Sequence, residues 1–218
     1  MSEPEFTEAK LPQPGFTVET AKVLAEVAHN RQKDKLKRPY RDHVIAVGDA
    51  LADFDYDIRI AGYLHDIAED TPITRQALLD MGVSERAADI IERVTNRLHD
   101  NPDDYQAGMH FIAEDHDAAL VKIADNAHNS LPERVRALAE KCPDKPPVTK
   151  YRDARPVLYA ACDREAVRQT LPRVTPRLLQ ASEATIAAEH HPDDDALPQA
   201  GAPQPLVVPF APAQGPHR

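Results

Sequence analysis

Apolar residues recur at helical spacing over most of the chain, and runs of β-branched residues are short. In residues 16–30, Val23, Leu24 and Val27 stand among alanines, and Thr17 is placed to cap the first turn. A second helix is expected to start near Pro39 or Tyr40, since proline suits a first helical turn, and to run through Val44, Ile45 and Val47 to about Leu51. Residues 55–70 hold the run from Ile58 to Leu64 and read as one central helix. Pro72 biases Thr71 out of the helical region and ends it. A short helix over 74–81 stops at Gly82, and Ser84 caps the next, through Ala87, Ile90, Ile91 and Val94. Residues 95–104 read as a loop and 105–114 as a short helix. Leu120, Val121, Ile123 and Ala124 mark a strong helix over 116–130, and Pro132 a break after it. Further helices are expected over 133–140, 151–167 and 177–189, with a Pro-rich loop at 142–148.

The pattern predicts an all-α fold. The 218 residues suit one domain with tails, and scarce glycine agrees with helix. Residues 1–15 are acidic and contain proline, and residues 190–218 turn to Pro, Ala, Asp and Gln. Neither end buries enough to offset its ordering entropy, so both are expected to be disordered around a single domain over 16–189. There is no internal repeat.

Charge narrows the function. A net charge of −10 argues against non-specific binding to nucleic acid or an anionic membrane, but not against a small anion met by local positive charge. Cys142 and Cys162 form no metal-ligand spacing and no disulfide framework, which points to a reducing cytoplasm. The first residues contain no apolar signal core, and no apolar run is long enough to span a bilayer. Oligomeric state is not legible.

Against that background the stretch from Leu64 to Thr71 stands out. On one helix His65 would lie above Glu69 and Asp66 above Asp70, each pair about 6 Å apart along the axis. Carboxylates so close beside apolar residues repel one another, and a cation would relieve the cost. The bland alternative is a solvated acidic helix end, although acids there do not complement the negative pole of the helix. His43 follows the basic stretch 31–41, and Asp125 interrupts an apolar helix face. Taken alone, His43 would more often be an ordinary helix histidine, and Asp125 could be explained by Lys122. Together, two imidazoles and two carboxylates suit Mn²⁺, Fe²⁺ or Zn²⁺. Arg31, Lys33, Lys35, Lys37, Arg38 and Arg41 would neutralise phosphate beside such a metal; for any one of them a solvated loop is the simpler reading.

The order His43, His65-Asp66, Asp125 resembles the HD superfamily of metal-dependent phosphohydrolases. The segment LHDIAEDTPIT is similar to the RelA/SpoT-type alarmone hydrolase domains and their small stand-alone relatives. So are AHNRQKDKLKRPYRDH, VTNR and VKIADNAHN, and more weakly KYRDARPVL. The resemblance covers roughly residues 16–129. It implies a compact helical HD-domain bundle with Mn²⁺ held by His43, His65, Asp66 and Asp125, and Glu69 and Asp70 as the catalytic pair. Lys35 and Asn129 match positions that contact the nucleotide, and Arg31 and Arg38 of the basic stretch are expected to hold its phosphates with them. The implied reaction releases pyrophosphate from the 3′ position of guanosine tetra- or pentaphosphate by attack of a metal-activated water. The chain departs from the family at Asp34, where an arginine normally packs on the guanine, at Lys37, normally glycine, and around 130–132. Nothing resembles an alarmone synthetase. The departures leave two alternatives: an HD phosphohydrolase acting on another nucleotide, such as a dNTP or a phosphorylated dinucleotide, and a catalytically silent module that senses one.

Overall fold

The computed structural model describes residues 15–95, 102–141 and 149–174. Among them the chain is helical with no strand: α1 (Val18–Ala28), α2 (Arg41–Ala50), α3 (Tyr56–Leu64), α4 (Ile67–Asp70), α5 (Arg75–Asp80), α6 (Glu85–Val94), α7 (Pro102–Ala113), α8 (His116–Asn129), α9 (Pro132–Lys141), α10 (Thr149–Ala160) and α11 (Arg164–Val174). The caps are those expected. Thr17, Thr74 and Ser84 accept from the backbone N–H three residues on, and Gly82 leaves α5 at a φ of 95°. The start of α7 lies three residues earlier than the pattern indicated, with Pro102 at its first position. The expected tails, the 142–148 loop and the 177–189 helix fall outside the described residues, save Gly15.

Two expected helices are each broken. Residues 55–70 form α3 and α4, parted at His65-Asp66, where Asp66 has φ −100° and ψ 0°. One local and one long-range contact hold the break. The Gly62 carbonyl, to which a continued helix would bond Asp66 N, accepts from the His65 ring, while Tyr40 holds the Asp66 carboxylate. Residues 151–167 are likewise split between α10 and α11. Asp163 caps the second by accepting from Ala166 N at 2.8 Å, and Cys162 is buried in the bend.

The spatial centre is α8, not the 55–70 segment. Ala118, Ala119, Leu120, Val121, Ile123, Ala124 and Ala127 are all buried, and α2, α3, α6, α7, α10 and α11 pack round them. A helix apolar on so many sides belongs in the middle of a bundle. Beside it α2 and α3 approach closely. A Cβ at Gly48 would overlap the Tyr63 ring, and one at Gly62 would come within 2.6 Å of Leu51. That approach brings His43 on α2 to the end of α3, where His65 and Asp66 stand.

Candidate metal centre

Three separated segments deliver four polar side chains to one buried point. His43 lies in the first turns of α2, His65 and Asp66 at the α3–α4 junction, and Asp125 inside α8. His43, His65 and Asp125 are 4%, 2% and 5% exposed. The Nε2 atoms of the two histidines are 3.3 Å apart. Asp66 Oδ2 lies 2.9 Å from His65 Nε2 and 3.5 Å from His43 Nε2, and Asp125 Oδ1 lies 3.3 Å from His43 Nε2 and 3.9 Å from His65 Nε2. Ligand atoms each about 2.1 Å from one ion sit about 3 to 3.5 Å apart, so His43, His65 and Asp66 fit a single small cation, with Asp125 Oδ1 3.3 Å from His43 beside them.

Surrounding groups fix the orientation of these four. Tyr40 Oη donates to Asp66 Oδ2 at 2.6 Å, and His65 Nδ1 donates to the Gly62 carbonyl at 2.8 Å, leaving Nε2 facing the cluster. His43 Nδ1 pairs with His128 Nδ1 at 2.8 Å. Lys122 Nζ lies 2.8 Å from Asp125 Oδ2, and Asn129 Nδ2 donates to Asp125 Oδ1 at 2.5 Å. Such outer partners hold ligand rings and carboxylates in place.

Electrostatics follow. Burial disfavours a charged His43, but bonds to Asp125 and Asp66 outweigh it and raise its pKa to about 9. Burial likewise opposes ionised Asp125 and Asp66. Lys122 with the histidines overcomes this for Asp125, and His65 and His43 for Asp66, so both carboxyls lie far below their usual range. Burial, then the charges of His43 and Arg134, press His128 down to about 3. His128 is therefore neutral and accepts the His43 Nδ1 proton. A divalent cation would take the place of the proton that His43 otherwise carries on Nε2.

No family model matches the chain. Bifunctional (p)ppGpp synthase/hydrolase SpoT of Escherichia coli is 29% identical over 135 residues, covering 57% of this chain and 18% of the relative. Guanosine-3′,5′-bis(diphosphate) 3′-pyrophosphohydrolase of Aquifex aeolicus is 30% identical over 125 residues, 54% of this chain and 18% of the relative. Its namesake in Borreliella burgdorferi is 32% identical over 117 residues, 49% and 17%. The chain is similar to (p)ppGpp 3′-pyrophosphohydrolases. It spans less than a fifth of the length of these relatives.

The remaining residues singled out in the sequence are dispersed around the cluster. Glu69 and Asp70 are exposed on α4. Asp70 Oδ2 accepts from Gln32 Nε2 at 2.8 Å, and Gln32 Oε1 pairs with His29 Nδ1 at 2.6 Å. Glu69 lines a cleft of about 600 Å³ with Thr71, Ile73, Arg75, Glu92 and Thr95. Asn129 bonds the cluster directly through Asp125. Arg31, Lys35 and Arg38 are exposed on the loop before α2. Burial, then the charges of Lys35 and Lys122, lower the pKa of Lys150, whose Nζ lies over the Tyr105 and Tyr151 rings.

Tyr40, His128 and Lys150 were not singled out as site residues in the sequence. A signal existed for two of them. Tyr40 precedes His43 by three residues, and His128 follows Asp125 by three on α8, one helical turn in each case. Lys150 joins the site only through the packing of α10 on α7 and α8.

Proposed function

We propose that this chain is a metal-dependent nucleotide phosphohydrolase of the HD type that removes pyrophosphate from the 3′ position of guanosine 3′,5′-bis(diphosphate), working with Mn²⁺ in the cytoplasm as part of the stringent response. The observation that carries the reading is the convergence of His43, His65, Asp66 and Asp125 beside the α4 acids. The activities for which the relatives are named support the substrate class.

His43, His65, Asp66 and Asp125 would hold the cation. When bound, it would polarise a phosphoryl oxygen and lower the pKa of water towards neutrality. The chain's own groups do the rest. Glu69 and Asp70, at the open end of α4, receive the proton of the attacking water and orient it. Gln32 donates to Asp70 and fixes the direction of that carboxylate. Lys35, Arg31 and Arg38 neutralise the phosphates, and Asn129, anchored on Asp125, presents its amide to the nucleoside.

One observation favours a different nucleotide. Asp34 stands where the resemblance calls for a base-stacking arginine, and its carboxylate is committed to Arg134. A nucleotide panel with Mn²⁺ separates the two readings. Pyrophosphate release from guanosine tetraphosphate is expected. Glu69→Gln should lower kcat by about 10²-fold or more while leaving Mn²⁺ affinity unchanged. Turnover confined to other nucleotides would overturn the substrate assignment.

A further inference from the structure

We propose that the half-buried ion pair of Asp34 with Arg134 is a latch that holds the cationic loop 31–41 against α9, making Arg134 a positioning residue for the substrate's phosphates. The inference rests on the reading of the site as a nucleotide phosphohydrolase.

Asp34 is an acid within the most basic stretch of the chain, and the loop is built around it. Its side chain is 5% exposed and that of Arg134 is 11% exposed. Asp34 Oδ1 accepts from Leu36 N and Arg38 N, both at 2.8 Å, while Oδ2 accepts from Arg134 Nη1 at 2.5 Å, across 100 residues of sequence. Both oxygens are thus engaged. The backbone closes on itself around the same residue. Asp34 N donates to the Arg38 carbonyl and Lys37 N to the Asp34 carbonyl, each at 2.9 Å, and Lys37 takes the left-handed conformation at φ 66°. Tyr40 N donates to the Gln32 carbonyl at 3.0 Å, so the loop returns to its starting point.

The result is a closed turn with its cations on the rim. Lys33, Lys35, Lys37 and Arg38 are exposed, whereas Leu36 is buried. Helix α9 grips this turn at two places. Arg134, near its start, takes Asp34, and Lys141, at its end, donates to the Leu36 carbonyl at 3.3 Å. Both stems of the loop run into the candidate site, Gln32 to Asp70 and Tyr40 to Asp66. Helix α9 itself starts three residues after Asn129. The latch therefore sets where the rim cations stand relative to the metal cluster, while Arg134 bonds to Asp34 and to none of the four cluster residues. Releasing it lets those cations spread over many positions, which weakens phosphate binding and leaves the hydrolytic groups as they were.

Amide exchange at Leu36 and Arg38, Mn²⁺ affinity, and KM and kcat for guanosine tetraphosphate are measured on the full chain and on Arg134→Leu, Arg134→Lys and Asp34→Asn. Arg134→Leu is expected to speed exchange at both amides by about tenfold and raise KM by about tenfold, with kcat at saturating Mn²⁺ within about twofold of wild type. Arg134→Lys restores most of both losses. Should Arg134→Leu fail to fold, Asp34→Asn decides: it keeps the backbone acceptor, removes the charge, and is expected to show a smaller rise in KM. Wild-type exchange and KM in the folded variants would overturn the latch, as would a fall in kcat at unchanged KM. If the wild-type protein does not hydrolyse the alarmone, the functional reading fails by itself. The latch is then judged by exchange and by the affinity for inorganic pyrophosphate, which Arg134→Leu is expected to lower by about tenfold and whose constancy would overturn it.

Discussion

His43 is held between two demands. Its Nδ1 faces neutral His128, and its Nε2 faces two carboxylates that favour a proton there. With its pKa raised to about 9, the ring is charged at neutral pH in the metal-free protein, yet it coordinates only when neutral. Each ion bound at pH 7 should therefore release about one proton, and Mn²⁺ affinity should climb with pH up to about 9. Calorimetric titration in two buffers of different ionisation enthalpy reads the proton count directly; no buffer dependence would contradict this account of His43. At this scale the sequence was informative about identity and poor about partnership. His43, His65, Asp66 and Asp125 could be selected from their types and order. Tyr40 and His128 stand one turn from the selected residues and could have been found by helical spacing. The Asp34–Arg134 pair joins loop to helix across 100 residues and leaves no local trace.

Helix ends were legible where the capping chemistry is local. Thr17, Thr74 and Ser84 each cap as their side chains dictate, and Pro39 and Gly82 mark boundaries through fixed or positive φ. The breaks at His65-Asp66 and near Cys162 were missed for different reasons. The first depends on the Tyr40 hydroxyl from another segment; the second did carry a local signal, Asp163 as the cap of α11, which a single helix over 151–167 overlooks. Two predictions belong to this scale. Gly48→Ala forces a methyl into the Tyr63 ring and should cost about 1–3 kcal/mol, seen as a lower midpoint in urea, with Mn²⁺ binding weakened because α2 carries His43. The start of α8 gives the other. Asp115 caps α8 and receives Arg86 through both oxygens at 2.7 Å, and the arginine, against the opposing effect of burial, lowers its pKa from 3.8 to about 2. A lowered carboxyl pKa stabilises the folded state above the unfolded value, and that contribution fades as pH falls through the folded one. Asp115→Asn keeps the cap and removes the charge. It should be less stable than wild type by about 1 kcal/mol at pH 7, with the gap closing between pH 4 and pH 2. Thermal melts across that range check it.

As a whole, the molecule surrounds α8 with helices and sets Asp125 within it, so a buried carboxylate at the core meets histidines presented by α2 and the end of α3. The all-α class was legible because helical periodicity extends along most of the chain. That α8 forms the centre was not, since periodicity ranks helices by pattern and not by how many neighbours cover them. No helix among the described residues is long and apolar enough to cross a membrane. The net charge of −10 is accompanied by a local cluster of six of the 26 lysines and arginines over residues 31–41, which suits a small anionic substrate better than a polyanion. The most direct test of this arrangement is pyrophosphate release from guanosine tetraphosphate by the full chain stripped with EDTA and then restored with Mn²⁺, alongside Asp125→Asn. The expected result is loss of activity on stripping, recovery on restoration, and no recovery in the variant; turnover that persists unchanged after stripping would contradict the account.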